Sequence, residues 1–148
     1  MSTDSSSRRC FLKVLAQGSA LAGAACLGVA CGSGGGPVDG GTVTDLAVGA
    51  LRAVSGSSVA VGRDAGGVYA MTLICPHEDC DMGGSDGSVS ASGVVCNCHG
   101  SRFDVVGVVL QGPARTDLVH YAVTISALGA ITVDTSATVD ASVRTAVA

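Results

Sequence analysis

The sequence is poor in aromatic and charged residues. None of its 148 residues is tryptophan, aromatic residues make up only 3%, and charged residues make up 14%. Hydrophobic residues account for 47%, a balance that supports a buried core and excludes a disordered chain. The core must therefore be built from Val, Ala, Leu and Ile, which bury less area per residue than aromatic side chains. We expect additional cross-links to stabilise it.

Basic residues are scarce outside the N-terminal segment. Arg8, Arg9 and Lys13 lie in that segment, and from Cys31 onward five arginines stand against eleven acidic residues. This balance argues against a nucleic-acid partner and suits a basic or neutral one.

The chain is also short, because the 118 residues from Cys31 onward are enough for one ordinary domain. A multidomain enzyme is excluded.

The first 30 residues have the layout of an export signal. Arg8 and Arg9 are followed by Phe-Leu-Lys, and residues 14–31 are uncharged and rich in Ala, Gly and Leu. The paired arginines resemble the bacterial twin-arginine signal, whose translocase carries proteins already folded around their cofactors. An ordinary Sec signal with two chance arginines is the alternative. We predict export across the cytoplasmic membrane by the twin-arginine route.

Cys31 marks the predicted end of this signal. Small residues precede it, as in a lipoprotein processing site, and the following residues are rich in glycine. We expect Cys31 to be lipidated and residues 31–41 to form a flexible tether on the periplasmic or cell-surface side of a membrane. Two alternatives stay open. Residues 14–31 could be an uncleaved anchor, although 18 weakly apolar residues barely span a bilayer, or simple cleavage could release a soluble protein.

Short apolar runs with a period of two predict β-strands from residue 42 to residue 134. Such runs occur at 68–73 and 119–125, and turns at 63–67 and 126–129 close two predicted hairpins. The sequence contains no well-capped helical stretch, internal repeat or phosphate-binding glycine loop. We predict an all-β fold, a small antiparallel sandwich. Residues 135–148 are either an added strand or a frayed C-terminal tail.

Cysteine and histidine residues are concentrated in two loops between the hairpins. The loops read Cys75-Pro76-His77-Glu78-Asp79-Cys80 and Cys96-Asn97-Cys98-His99-Gly100-Ser101. Each loop offers a thiolate and an imidazole, a pairing that holds a two-iron cluster with sulfur ligands on one iron and nitrogen ligands on the other. A zinc site is one alternative, although the single residue between Cys75 and His77 is fewer than the two to four residues common between zinc ligands. Two plain disulfides are another, which would leave both histidines unexplained.

These motifs resemble the Rieske iron–sulfur family over about residues 46–134. The resemblance implies one 2Fe–2S cluster, a cluster-binding part at about 71–114, and a Rieske domain at 42–134. In that resemblance Cys75 and Cys96 ligate the inner iron, and His77 and His99 ligate the outer, solvent-facing iron. The Gly112-Pro113-Ala114 segment corresponds to a proline-containing loop that lies against the cluster.

The same resemblance implies two further features of the site. Cys80 and Cys98 match a pair that forms a disulfide in the subgroup of cytochrome bc-type complexes and arsenite oxidase small subunits. Ser101 matches a serine that donates a hydrogen bond to a bridging sulfide of the cluster. Phe103 stands where high-potential relatives have a tyrosine that donates a second such bond, which implies a lower potential here.

Glu78 and Asp79 depart from the family pattern. Quinol-oxidising members have small apolar residues in this stretch, and carboxylates carry a heavy desolvation cost in a membrane-embedded quinone pocket. Quinol oxidation is therefore disfavoured. We read the glycine- and serine-rich residues 83–93 as a loop, and His120 as a surface or ordinary structural residue.

The resemblance implies a one-electron carrier with no catalytic residue or substrate site of its own, because the cofactor supplies the redox chemistry. Its partners would be an oxidoreductase donor and a cytochrome or cupredoxin-like acceptor. One alternative is a Rieske subunit of a larger oxidoreductase, such as a quinol–cytochrome c reductase or an arsenite oxidase-type complex. The other is a binding or structural module that keeps the fold without the cluster.

Overall fold

The computed structural model describes residues 35–147, so the predicted export signal and Cys31 lie outside the described residues. The described part is nearly all β, which confirms the predicted fold class. Its strands are β1 Pro37–Thr42, β2 Leu51–Ala53, β3 Val59–Asp64, β4 Gly67–Thr72, β5 Gly87–Ser90, β6 Gly93–Cys96, β7 Arg102–Phe103, β8 Val109–Gln111, β9 His120–Ile125 and β10 Ala130–Val139. One turn of 3-10 helix, Val43–Asp45, follows β1.

The strands form two antiparallel sheets. The larger has the order β1-β10-β9-β4-β3-β2, and the smaller has the order β5-β6-β7-β8. Both predicted hairpins are confirmed, with Asp64 opposite Gly67 between β3 and β4 and Ile125 opposite Ile131 between β9 and β10. Within residues 35–147 no helix is long and apolar enough to cross a membrane.

Strand β4 is buried on both faces because it lies between two apolar clusters. On one face Val68 and Ala70 pack in a cluster with residues of β3 and β10. On the other face Tyr69 and Met71 pack with Phe103 and other residues of the smaller sheet. The alternating run of β4 therefore belongs to a strand that lies between two layers. The apolar cluster around Tyr69, Met71 and Phe103 packs the smaller sheet against the larger sheet. The smaller sheet carries the second motif loop.

Tyr69 and His120 connect the two layers by hydrogen bonds as well. The Tyr69 hydroxyl donates to the Val105 carbonyl over 2.8 Å, and His120 Nε2 lies 2.9 Å from the Val106 carbonyl oxygen. The two rings stack with centroids 5.9 Å apart. Because His120 is only 2% exposed, it is not a surface residue. Its role in the described part of the chain is structural.

Some glycine-rich segments are strands rather than flexible connections. Residues 37–41, expected in the tether, form β1 against β10, and a Cβ on Gly40 would lie 2.6 Å from Ile131 Cγ2. Likewise, segment 83–93 contains β5 and the start of β6, and a Cβ on Gly93 would fall 2.1 Å from the Phe103 carbonyl oxygen. These glycines permit close packing, which composition alone does not distinguish from flexibility.

The predicted C-terminal boundary is also displaced. Strand β10 continues past residue 134 to Val139, with a register shift between Asp134 and Thr138. Further on, Val68 and Thr145 exchange two backbone hydrogen bonds of 2.9 Å. Residues 135–145 are therefore tied to the larger sheet, which agrees with the alternative of an added strand and not with that of a frayed tail.

Candidate metal centre

The two motif loops have the same backbone hydrogen-bond scheme. In the first, the Cys75 N–H donates to the Cys80 carbonyl and the Asp79 N–H donates back to the Cys75 carbonyl, both over 2.9 Å. In the second, Cys96 N–H donates to Ser101 over 2.9 Å and Gly100 N–H donates to Cys96 over 3.0 Å. Each loop thus presents its first cysteine from a closed turn of six residues.

Cys75 and Cys96 form the buried side of the site. Each is 1% exposed, and neither is in a disulfide. Burial raises the pKa of the Cys75 thiol, and its hydrogen bond with Cys96 raises that pKa further. Hydrogen bonds from the His77 backbone N–H and the Ser101 hydroxyl oppose this rise. Two adjacent thiols in an apolar setting, one of them supplied with donors for its thiolate form, suit a metal that displaces their protons.

The two histidines form the outer side of the site. The His77 and His99 rings meet edge to face with centroids 4.9 Å apart, and the His99 side chain is 47% exposed. Glu78 from the first loop brings a carboxylate oxygen within 3.7 Å of His99 Nε2. The imidazoles therefore lie together at the protein surface, with an acidic group beside them.

A disulfide between Cys80 and Cys98 joins the two loops. The bond links residues 18 apart in sequence and spans 6.7 Å between Cα atoms. The predicted disulfide is confirmed, and the alternative of two disulfides is wrong because Cys75 and Cys96 stay free in the described chain. The covalent link holds the first loop beside the second, so Cys75 of one loop meets Cys96 of the other and His77 meets His99.

A third segment, Gly112 to Ala114, braces the second loop. The Ala114 N–H donates to Ser101 Oγ over 3.0 Å, and Ser101 is completely buried. One residue before this segment, the Gln111 side-chain amide donates to the Gly100 carbonyl over 3.1 Å. Sequence reasoning anticipated the proline-containing segment but missed Gln111. No local pattern distinguishes it from other exposed polar residues of a strand.

The donor set fits a two-iron cluster. Cys75 and Cys96 lie on the buried side, and His77 and His99 lie on the exposed side. In a two-iron centre, one iron can be bound by the two cysteine sulfurs and the other iron by the two histidine nitrogens. A single tetrahedral zinc ion instead needs all four donor atoms around one point. The fold and the site together define a small iron–sulfur protein with mixed cysteine and histidine ligands.

Comparison with known proteins agrees with this class. Residues 36–122 match the family model described as the Rieske [2Fe-2S] domain. The chain therefore belongs to the Rieske family, and this domain implies one 2Fe–2S cluster. The Cys80–Cys98 disulfide lies within this domain.

Similar proteins match this chain over part of its length. The cytochrome b6-f complex iron–sulfur subunit of Synechococcus sp. (strain WH7803) is 40% identical over 57 residues, which are 38% of this chain and 30% of that protein. The chain thus spans less than a third of the length of this curated relative. The plasma membrane Rieske protein PetC3 from Synechocystis PCC 6803 superposes with a TM-score of 0.50 at 30% identity, covering 65% of this chain and 97% of that chain.

Proposed function

We propose that this protein is an exported, membrane-tethered Rieske carrier that passes single electrons between two redox proteins. One observation carries the electron-transfer part of the proposal: a disulfide joins two loops, each of which bears one free, buried cysteine and one histidine at the surface. Buried thiolates hold a cluster inside the protein, and surface imidazoles give it an edge that a partner can approach. No residue is assigned a catalytic role.

Each proposed ligand has support from its own surroundings. Cys75 and Cys96 bind from the buried side, where the His77 backbone N–H and the Ser101 hydroxyl donate hydrogen bonds to the Cys75 sulfur. His77 and His99 bind from the exposed side. The bound cluster supplies one-electron redox chemistry, and the protein determines its potential through ligation, hydrogen bonds and nearby charge.

The alternative is a Rieske subunit of a larger oxidoreductase. Its support is the 40% identity to a cytochrome b6-f complex subunit over the matched 57 residues. Against a quinol-oxidising complex stand Glu78, whose carboxylate lies 3.7 Å from His99 Nε2, and the exposed Asp79 that follows it, because carboxylates are costly to bury against a quinone pocket. Purification of the tagged protein from its native host distinguishes the two proposals. A large catalytic subunit that co-purifies in stoichiometric amount supports the subunit, and a single chain supports the carrier.

Export and anchoring rest on Arg8, Arg9 and Cys31. Replacement of both arginines by lysine should leave the protein in the cytoplasm, and the mature wild-type protein should begin with a lipidated Cys31 in its mass spectrum. Cell fractionation locates each form. A mature chain that begins near Met1 would overturn lipidation and support the uncleaved anchor.

The ligand proposal is tested by electron paramagnetic resonance of the dithionite-reduced protein matured in its native host. Cys75→Ser should abolish the signal of the mixed-ligand cluster, and His77→Ala should do the same. Cys80→Ser is the matched control, because it removes a sulfur of the same loop that is not a proposed ligand. Stoichiometric zinc instead of iron and sulfide in the wild-type protein would contradict the proposal.

A further inference from the structure

A groove of about 390 Å³ lies beside the first motif loop. Its walls include Ile74, Pro76, Val119, Tyr121, Asp79 and Asp117. Two of these residues, Pro76 and Asp79, belong to the same loop as the proposed ligand His77. The groove therefore opens next to the surface where the imidazoles lie.

The register shift in β10 contributes to this groove. Between Asp134 and Thr138 the strand leaves its pairing with β9, and Thr135 and Thr138 contribute to the groove wall. Strand β9 in turn pairs with β4 at only two positions, Tyr121 and His120. A second hollow of about 260 Å³ shares Thr72, Ile74, Tyr121 and Thr135 with the first, so the depression continues toward β1.

Apolar and acidic groups line the groove together. Val119 is 47% exposed, between the buried residues Leu118 and His120. Asp79 and Asp117 are both exposed, and Asp117 is held in place because its Oδ1 accepts the Val109 N–H over 2.8 Å. Among residues 35–147, no lysine or arginine lines the groove.

We propose that this groove receives a lysine- or arginine-bearing segment of the redox partner. The proposal rests on the proposed function, because it assigns a docking place to the carrier's partner. The aliphatic stem of such a side chain packs on Ile74 and Val119, and its charged end reaches the carboxylates of Asp79 and Asp117. Docking there brings the partner against the loop that carries His77.

Charge distinguishes this occupant from a second copy of the chain. From residue 35 onward the protein has five arginines and eleven acidic residues, so two copies repel each other over most of their surfaces. A basic partner is attracted by the same surface, and that attraction also raises the rate of encounter.

Binding of a tetralysine peptide to the cluster-loaded protein tests the proposal without electron transfer. Asp117→Asn keeps an oxygen for the Val109 N–H and removes the charge, and we expect it to weaken binding about two- to fivefold, the effect of one partly exposed ion pair. Asp39→Asn is the matched control, because Asp39 is also exposed and accepts one backbone N–H, from Gly41 over 2.8 Å, outside the groove. Tetralysine acetylated on every side chain should bind much more weakly than the charged peptide.

Four outcomes would overturn the proposal. Equal weakening by Asp39→Asn and Asp117→Asn would show that overall acidity, and not the groove, attracts the peptide. If Asp117→Asn left the peptide affinity unchanged, the groove would likewise not be the place where the peptide binds. Self-association that Asp117→Asn abolishes in sedimentation would assign the groove to a second copy. A much higher peptide affinity of the chain that begins at Cys31 than of the full chain would assign it to the chain's own N-terminal segment. The resonance signal of the reduced protein tests the proposed function separately, because it needs the cluster and not the groove.

Discussion

Asp79 and Gly100 occupy equivalent positions in the two motif loops. Each lies four residues after a buried cysteine, donates its backbone N–H to that cysteine's carbonyl, and has a positive φ, 54° for Asp79 and 82° for Gly100. Aspartate is one of the few residues with a side chain that enters this region with some regularity. The first loop therefore keeps the backbone of the second while it adds an exposed carboxylate, that of Asp79, to the wall of the groove.

This equivalence predicts unequal effects of two substitutions. Gly100→Ala should destabilise the protein by about 1–2 kcal/mol, because alanine is strained at positive φ. Steric contact contributes little, since the nearest atom to the added Cβ would be Gln111 Nε2 at 4.0 Å. Asp79→Gly should change stability by less than about 1 kcal/mol, because relief of strain is offset by the greater freedom of glycine in the unfolded chain.

Urea unfolding of the cluster-loaded variants measures both effects. Gly36→Ala is the control, since its φ is not positive and no atom lies within 4 Å of the added Cβ. If Gly100→Ala is as stable as Gly36→Ala, the positive φ does not govern the second loop.

Loss of the disulfide should destabilise both loops. Cys80→Ser opens a link between residues 18 apart, and loop-closure entropy gives a cost of roughly 3 kcal/mol. Cys98→Ser and the double variant should lose the same amount, because each breaks the same bond. Thermal unfolding and the decay of cluster absorbance measure the loss. A double variant much less stable than either single one would show that each sulfur also acts separately.

Phe103→Tyr should raise the reduction potential by some tens of millivolts. Phe103 is only 1% exposed, and it packs in the same hydrophobic core as Cys75 and Cys96. A hydroxyl that donates to a ligand sulfur stabilises the reduced state more, because reduction adds negative charge there. A difference of about 1.4 kcal/mol corresponds to 59 mV for one electron.

Protein-film voltammetry measures this shift, and a crystal structure of the variant shows whether the hydroxyl reaches sulfur. Phe103→Leu is the control, since it changes packing without adding a donor. A tyrosine that makes the hydrogen bond yet leaves the potential unchanged or lower would refute the argument from sulfur charge.

Asp64 should contribute to stability only above acidic pH. Burial alone would raise its pKa, but hydrogen bonds from Arg144 and from the Gly66 and Gly67 backbone hold the pKa below its ordinary value. A carboxyl with a lowered pKa in the folded state stabilises the protein above the unfolded pKa of about 3.9, and that stabilisation is lost as the pH falls through the folded pKa.

Asp64→Asn should therefore cost up to about 1 kcal/mol at pH 7, since the Asp64 side chain is 40% exposed and the pair with Arg144 is partly screened. The difference from wild type should shrink below about pH 4. Urea unfolding at pH 7 and at low pH measures it. A difference that stays constant with pH would mean that the ion pair is not its source.

The chemistry of the site could be predicted from the sequence because its information is local. Cys75 and His77 lie within one turn, as do Cys96 and His99, and each spacing restricts the metal and the ligand geometry. Strand alternation and the two hairpins were also evident, since periodicity and turn residues act over a few positions. At residues 37–41 the glycine content predicted a flexible tether, whereas these residues form strand β1. The glycines are needed for close packing against Ile131, and this need arises only when β1 pairs with β10.

The sequence by itself determined the donor set, the class of fold and the acidic character of the protein, since each depends on residue type and short spacing. Tertiary structure alone decided how these residues meet. It buried His120 against Val106, placed Gln111 on the Gly100 carbonyl, and brought Asp117 into one groove with Asp79, 38 positions earlier. Such contacts depend on strand register and on the bulge in β10, where small differences in packing energy between distant segments choose one arrangement, and no local pattern records that choice.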